Sequence, residues 1–321
     1  MTICPSRFSR RSSLGRAGFA AIIAVIHISV ANTDVNAQGM QLGREDYGVR
    51  ARVGYLGGDT VGRTDSLAHF ELMPYLRTPN GSLMTDLRFF TGDGEYGLNA
   101  GVGYRQLFPE IDRIFGGIVW YDYDTLSGDD TQQITLSFET YGSRFDGLAN
   151  IYIPVGDETT GSLRASNERF VGNELLFDQT GTLGDVLGGG DIQIGYLLPG
   201  DFAAENQIRA FAGAYHYTGT SVEDITGVMG RVEANFFGMV DGQVKVTDDD
   251  TFGTNVLFGI SLGVTRGNRG GRWRTQPQDQ LTRYPTRQYN AVVVNTDVTR
   301  TGVAAVNPDT GNALTLSLIH I

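Results

Sequence analysis

Between Tyr47 and Val264 the sequence keeps returning to one pattern, apolar and polar residues alternating position by position. A period of two puts successive side chains on opposite faces of a strand, and no helical period of comparable length competes with it. Tyr47, Val49, Ala51, Val53 and Tyr55 alternate with Arg50 and Arg52, and Ala68, Phe70, Leu72 and Leu76 with His69 and Glu71. Leu83, Leu87 and Phe89 oppose Asp86 and Arg88, while Tyr96, Leu98, Ala100, Val102 and Tyr104 oppose Asn99 and Arg105. Further along, Phe115, Val119, Tyr121 and Tyr123 face away from Trp120 and Asp122, and Ile134, Leu136 and Phe138 away from Gln133, Ser137 and Glu139. Runs near 145–153, 185–198, 207–218, 227–238, 240–248 and 254–265 bring the number to about twelve strands.

Most of these runs match the ~9–11 residues of a tilted membrane-spanning strand. Tyr47, Tyr55, Tyr96 and Tyr104 close the apolar faces, as rings do at headgroup depth. The opposite faces mix Arg, Asp, Glu and Asn with Gly and small residues, which suits a narrow lumen better than the water-facing side of a sandwich. Connections after odd strands tend to be polar and longer ("GGDTVGRTDS", "LSGDD", the segment 154–184), and those after even strands compact ("RTPNGS", "FPEIDR"). Because lipid leaves no partner for an open edge, the sheet must close. The expectation is an all-β fold over 47–265, a closed antiparallel transmembrane β-barrel of outer-membrane type with about twelve strands. Its lumen would be lined by Arg50, Arg52, Asp86, Arg88, Arg105, Asp122, Glu139, Arg231 and Glu233.

Arg7, Arg10, Arg11 and Arg16 precede an apolar run from Phe19 to Val30 and a small-residue site at Val35 and Ala37. That is the pattern of a cleaved export signal over 1–37, before a short periplasmic segment at 38–46. Cys4, the only cysteine, would leave with the signal, so no disulfide supports the mature chain. Gly numbers 44, twice the usual ~7% share, without a collagen period. A net charge of −11 offers nucleic acid no general attraction. Lys245 is the only lysine among 25 basic residues.

No motif points to a cofactor or a metal. Gly92, Gly94 and Gly97 match G-x-G-x-x-G, but a strand comes next where a nucleotide site needs a helix. "GGGD" at 188–191 occurs once, without the repeat that calcium-binding glycine motifs need. Asp129-Asp130 and Asp248-Asp249-Asp250 read as solvated turns. His69 and His216 fall on expected lumen faces, yet neither Ser66 nor Ser82 completes a triad with them, so no catalytic residue is assigned.

Several ordered stretches resemble the β-domain of intimin/invasin-type inverse autotransporters: "GGIVWYDYD", "GYRQLF", "NIYIPVG", "DDTFGTNVLFGISLGV" and "PTRQYNAVVV". The resemblance implies a linker over 266–298 that crosses the lumen, with Arg287 and Tyr289 at the family's Arg and aromatic positions. It also implies a C-terminal adhesin-like passenger, expected to begin at 299–321 and to be truncated there, since "LSLIHI" matches the in-frame translation of a sequencing adapter. Partners expected for such a chain are outer-membrane lipid and lipopolysaccharide, the barrel-assembly machinery, periplasmic chaperones, and a surface ligand on a host or neighbouring cell. Two other readings stand beside this one, an outer-membrane channel with a periplasmic tail and an outer-membrane lipid enzyme.

Overall fold

Alternation along the strands becomes a closed ring in the computed structural model. It describes residues 46–125, 130–156, 159–266, 277–307, 309–310 and 312–315. The expected signal, nearly all of 38–46, the Arg-rich stretch 267–276 and the final "LSLIHI" lie outside the described residues. Seven strands succeed one another as hairpins: β1 (Asp46–Gly58), β2 (Leu67–Arg77), β3 (Gly81–Gly92), β4 (Glu95–Phe108), β5 (Arg113–Asp124), β6 (Thr131–Gly142) and β7 (Phe145–Pro154). Then come β8 (Thr159–Gly161), β9 (Arg164–Val171), β10 (Glu174–Leu197) and a short helix α1 (Asp201–Glu205). The ring is completed by β11 (Arg209–Thr218), β12 (Ile225–Phe236), β13 (Val240–Asp249) and β14 (Gly253–Arg266). A 3-10 turn (Pro277–Thr282) and β15 (Val292–Ala304) come after it.

The sheet has 15 strands; with β8, β9 and β15 set aside, twelve form the antiparallel barrel. Closure is made by β14 against β1, from Val49 opposite Arg266 to Gly58 opposite Leu257. Among the described residues every wall strand is paired on both sides, which is the condition for a sheet in hydrocarbon. The outer surface is apolar: Val119 is 57% exposed and Ile194 66%, and Phe70, Phe89, Phe138, Phe258 and Leu262 are exposed beside them. A water-soluble protein would bury such a belt, so its solvent is lipid. The inner surface carries the buried charges, Glu71, Asp86, Arg88 and Arg105 all at 0% exposure.

In β11 the phase differs from the sequence reading. His216 points outward and hydrogen-bonds Thr226 at 2.8 Å, while Tyr215 and Tyr217 point inward and are buried. The strand alternates rings with alanine and histidine, and interior packing takes the rings because a cluster inside accepts them: Tyr152, Leu187, Ile225, Met229 and Val292.

The segment 154–184, expected as a polar loop, is largely strand. Inner β10 pairs with β7 and β11 from Gly188 to Leu197, whereas its outer part leaves the wall. There it pairs with β8 and β9 on one side and with β15 on the other, Leu176 opposite Ala304 to Leu187 opposite Val292. Most of β9 and outer β10 are exposed or half-buried on both faces, so no apolar stripe announces them. Gly188–Gly190 mark the departure point: a Cβ on Gly189 would stand 2.2 Å from the His216 carbonyl oxygen. The connection 59–66 also departs from an outward polar loop. Thr60 and Arg63 close a tight turn, and Val61 is buried.

A lipid-facing belt makes the cost of a charge depend on depth. Val119→Arg, at mid-belt, should lose ~2–4 kcal/mol of stability in urea titrations of the vesicle-inserted protein, and Phe145→Arg near the belt's edge no more than ~1 kcal/mol. Outside the wall, Asn167, the Gly302 N–H and Arg169 hold the Asp178 carboxyl down at about 2. A depressed carboxylate contributes fully above its unfolded value, ~3.9, and loses that contribution as pH falls toward the folded one. Pepsin should therefore cut β9 and β15 faster at pH ~2 than at ~4, and Asp178→Asn should erase the difference.

Candidate functional site: a chain segment inside the barrel

Inward-facing charges first pair with one another. Glu71 bridges Arg52 at 2.5 Å and Arg88 at 3.2 Å, and Asp86 accepts from Arg88 at 3.0 Å. Glu139 accepts from Arg105 Nε at 2.8 Å, Asp146 stands 3.0 Å from Arg209 Nη1 as an ion pair, and Glu233 accepts from Arg231. Buried charges are tolerable only in such pairs. Of the nine residues placed in the lumen from sequence, Arg50, Asp86, Arg88, Arg105, Asp122, Glu139 and Arg231 are buried, and Arg52 and Glu233 are half-buried. All nine are on the inner side, but they meet more than each other.

Residues 280–291 lie against these side chains. Call the end of the barrel where β1 starts and β14 stops the terminal end. Near it, Leu281 packs with Leu107, Ile114, Tyr141, Leu148 and Phe211. Gln280 donates to the Gly142 carbonyl at 3.2 Å, and Arg283 pairs with Asp146 at 2.8 Å and with Glu233. Higher up, Tyr284 fits among Met73, Met84, Ile118 and Trp120, with Arg50 and Arg52 over its ring at 4.4 and 4.1 Å. Arg287 makes a two-pronged pair with Asp122, both prongs 2.7 Å, and lies 4.8 Å from the Trp120 ring centre. The planar fork matches the carboxylate, making this the best-formed ion pair in the lumen. Tyr289 meets Phe90 edge-on at 5.7 Å, and its hydroxyl lies 3.3 Å from His69 Nδ1. At the opposite end the Ala291 N–H donates to Asp124 at 2.9 Å, and Val292 opens β15.

The segment's backbone is irregular, so its carbonyls need donors from outside it. The wall supplies them. Arg50 donates to the Thr282 carbonyl, Arg88 to Pro285 at 2.7 Å, Arg105 to Leu281 at 3.2 Å and Asn99 to Tyr289 at 2.9 Å. Non-helical backbone at membrane depth is tolerated where protein surrounds it.

Sequence alone singles out Arg287 and Tyr289; it does not single out Leu281, Arg283 or Tyr284, although "RYP" sits immediately before "TRQY". Glu71, on the polar face of its strand by alternation, and Asp146 add to the nine lumen charges. β15 runs through position 298, where the linker and the expected passenger were divided. His69 has a hydroxyl on each ring nitrogen, Ser261 at 3.2 Å and Tyr289 at 3.3 Å, and neither Ser66 nor Ser82 joins it.

No family model and no curated protein matches the chain. Among solved structures it is similar to a protein from work on in-meso crystallization of membrane proteins, with a TM-score of 0.57 and 15% identity, over 78% of this chain and 100% of that one. It is also similar to KdgM porin, at TM-score 0.36 and 10% identity over 66% of this chain and 98% of that one. A further likeness is to the β-domain of the Bordetella autotransporter BrkA, at TM-score 0.31 and 12% identity over 69% of this chain and 98% of that one. The first likeness concerns fold alone and agrees with the geometry: a closed transmembrane barrel of outer-membrane type.

Asp122→Ala strands the buried Arg287 guanidinium and should lose ~3–5 kcal/mol. Asp122→Ala with Arg287→Met should recover most of that loss, a coupling that urea titration of all four proteins would measure.

Proposed function

We propose that this barrel anchors in the bacterial outer membrane and carries the chain beyond it to the cell surface. On this reading residues 280–291 are the crossing linker, the terminal end faces the periplasm, and the chain beyond β15 is the start of an adhesin-like passenger. The observation that carries the reading is the segment's course. It meets terminal-end residues at Gln280 and Leu281, passes Ile118 at mid-lumen through Tyr284, and reaches Asp122 and Asp124 toward the opposite end before pairing with outer β10. A tail that only hung in the periplasm would have no use for this succession of matched partners.

The channel reading requires an open lumen. Favouring the translocator, the side chains best placed to line a pore, Arg88, Arg105 and Asp122, are instead engaged by the segment. We assign no catalysis to the barrel, because His69 lacks a carboxylate to orient it and lies among arginines. The partners of the reading are lipid and lipopolysaccharide around the belt, the assembly machinery and chaperones that deliver the barrel, and the surface ligand of the passenger.

An epitope tag inserted after Thr310 tests it. The expected outcome is labelling on intact cells at the level seen after permeabilisation. Labelling only after permeabilisation places the tag in the periplasm and rejects the proposal.

A further inference from the structure

Beside the segment, toward the end of the barrel where β15 begins, lies a cavity of ≈ 60 Å³. Four cationic side chains line it: Arg63 from the 59–66 turn, Arg231 from β12, Lys245 from β13, and Arg287, whose charge Asp122 already answers. Arg63 is only 7% exposed, and its Nε and Nη2, the side-on edge of the guanidinium, have no hydrogen-bond partner. Arg231 is 4% exposed, and its Nη2 also lacks a partner. Lys245 makes no hydrogen bond or ion pair among the described residues.

The nearby carboxylates do not balance these charges. Asp191 is the acid on the cavity wall, and its oxygens are already taken by Asn150, Tyr152 and Gln193. Glu233 is shared by Arg231 and Arg283, and Asp146 by Arg283 and Arg209. With Arg287 answered by Asp122, and Arg209 and Arg283 by Asp146 and Glu233 nearer the terminal end, three cations (Arg63, Arg231 and Lys245) face one carboxylate, Asp191, at this cavity. Asp59 and Asp65, on the same turn as Arg63, are exposed and make no ion pair with it. An excess of buried positive charge is costly unless a counter-charge joins it.

We propose that this cavity is an anion site for a small tetrahedral oxyanion of the phosphate or sulfate class. A dianion matches the excess of two, and the free side-on edge of Arg63 is the geometry that grips two oxyanion oxygens at once. The Lys245 ammonium supplies a point charge, and the Arg231 Nη2 a third direction of donation. Roughly 10–15 Å³ of such space holds one water, so the cavity takes an oxyanion with room to spare. The site ties the 59–66 turn to the β12–β13 wall beside Gln288, which itself donates to the Val61 carbonyl at 3.0 Å. It stands apart from what the lumen transports, and a bare channel would hold the ion equally well.

Because Lys245 is the only lysine, it reports on its own site. The full chain, folded in a zwitterionic detergent, is treated with cyanate, and carbamylation of the Lys245 peptide is tracked by mass spectrometry. Inorganic phosphate should slow the reaction several-fold, sulfate should act alike, and chloride at equal ionic strength should not. Arg63→Gln lies in a turn outside the wall strands and keeps the reporter; it should weaken the phosphate protection about ten-fold, roughly the ~1.4 kcal/mol step of one charged contact. A rate indifferent to phosphate, equal protection by chloride, undiminished protection in Arg63→Gln, or a folded protein whose Lys245 never reacts would each overturn the site.

Discussion

Every backbone polar group in this molecule that sits at membrane depth has to find its partner in the chain, because hydrocarbon offers none. The wall meets that demand by closing on itself, β14 against β1. The segment 280–291 cannot meet it alone, having neither helix nor strand through most of its length. Arginine solves the problem in a way lysine would not. A guanidinium such as Arg105 holds Glu139 with one edge and reaches the segment's carbonyls with another. Arg88 does the same between Glu71, Asp86 and Pro285. Five donors in a fixed plane let one residue serve as ion-pair partner and backbone donor together. That accounts for arginine rather than lysine at Arg50, Arg88 and Arg105.

The same constraint explains the glycine content. Large rings must lie flat along a narrow lumen, and something on the neighbouring strand must make room. A Cβ on Gly101 would fall 2.4 Å from the Trp120 ring, and one on Gly97 would fall 2.1 Å from Phe90. Trp120 in turn forms the floor beneath Arg88 and Arg287, and Phe90 the wall against Tyr289. Glycine on one strand thus positions the ring that positions the segment. Removing backbone bulk here costs some strand propensity, but the ring packing gained is worth several tens of Å² of buried apolar surface.

How much of this the sequence discloses depends on how different the two sides of each strand are. Between lipid and a charged lumen the contrast is extreme, so Val119 and Asp122 fall on opposite faces by reading alone. In β11 both faces suit small or aromatic residues, the contrast collapses, and alternation alone puts His216 on the wrong side. Outer β10 and β9 are wet on both sides, and their strands escape a reading of the sequence for the same reason. Inside the segment, Arg287 and Tyr289 are legible through a resemblance in spacing. Leu281 and Tyr284 are not, because a residue filling an irregular lumen obeys no period; for Tyr284 only the space between Met73, Ile118 and Trp120 defines its place.

Strand β10 ties these parts together. Its inner half is wall, paired to β7 and β11, and its outer half is a platform, paired to β15. The segment therefore passes from side-chain donors to a strand partner within one residue, Ala291 bonded to Asp124 and Val292 opposite Leu187. The 59–66 turn closes over that handover from the other side, with Gly62 so near Val292 that a Cβ would sit 2.9 Å from its Cα. A chain moving through the lumen in the proposed direction would meet its first regular hydrogen-bonding partner only after leaving. Movement either way would break the β10–β15 ladder together with the ion pairs at Asp122 and Asp146. The hold beyond the barrel comes from one strand being longer than the wall it belongs to.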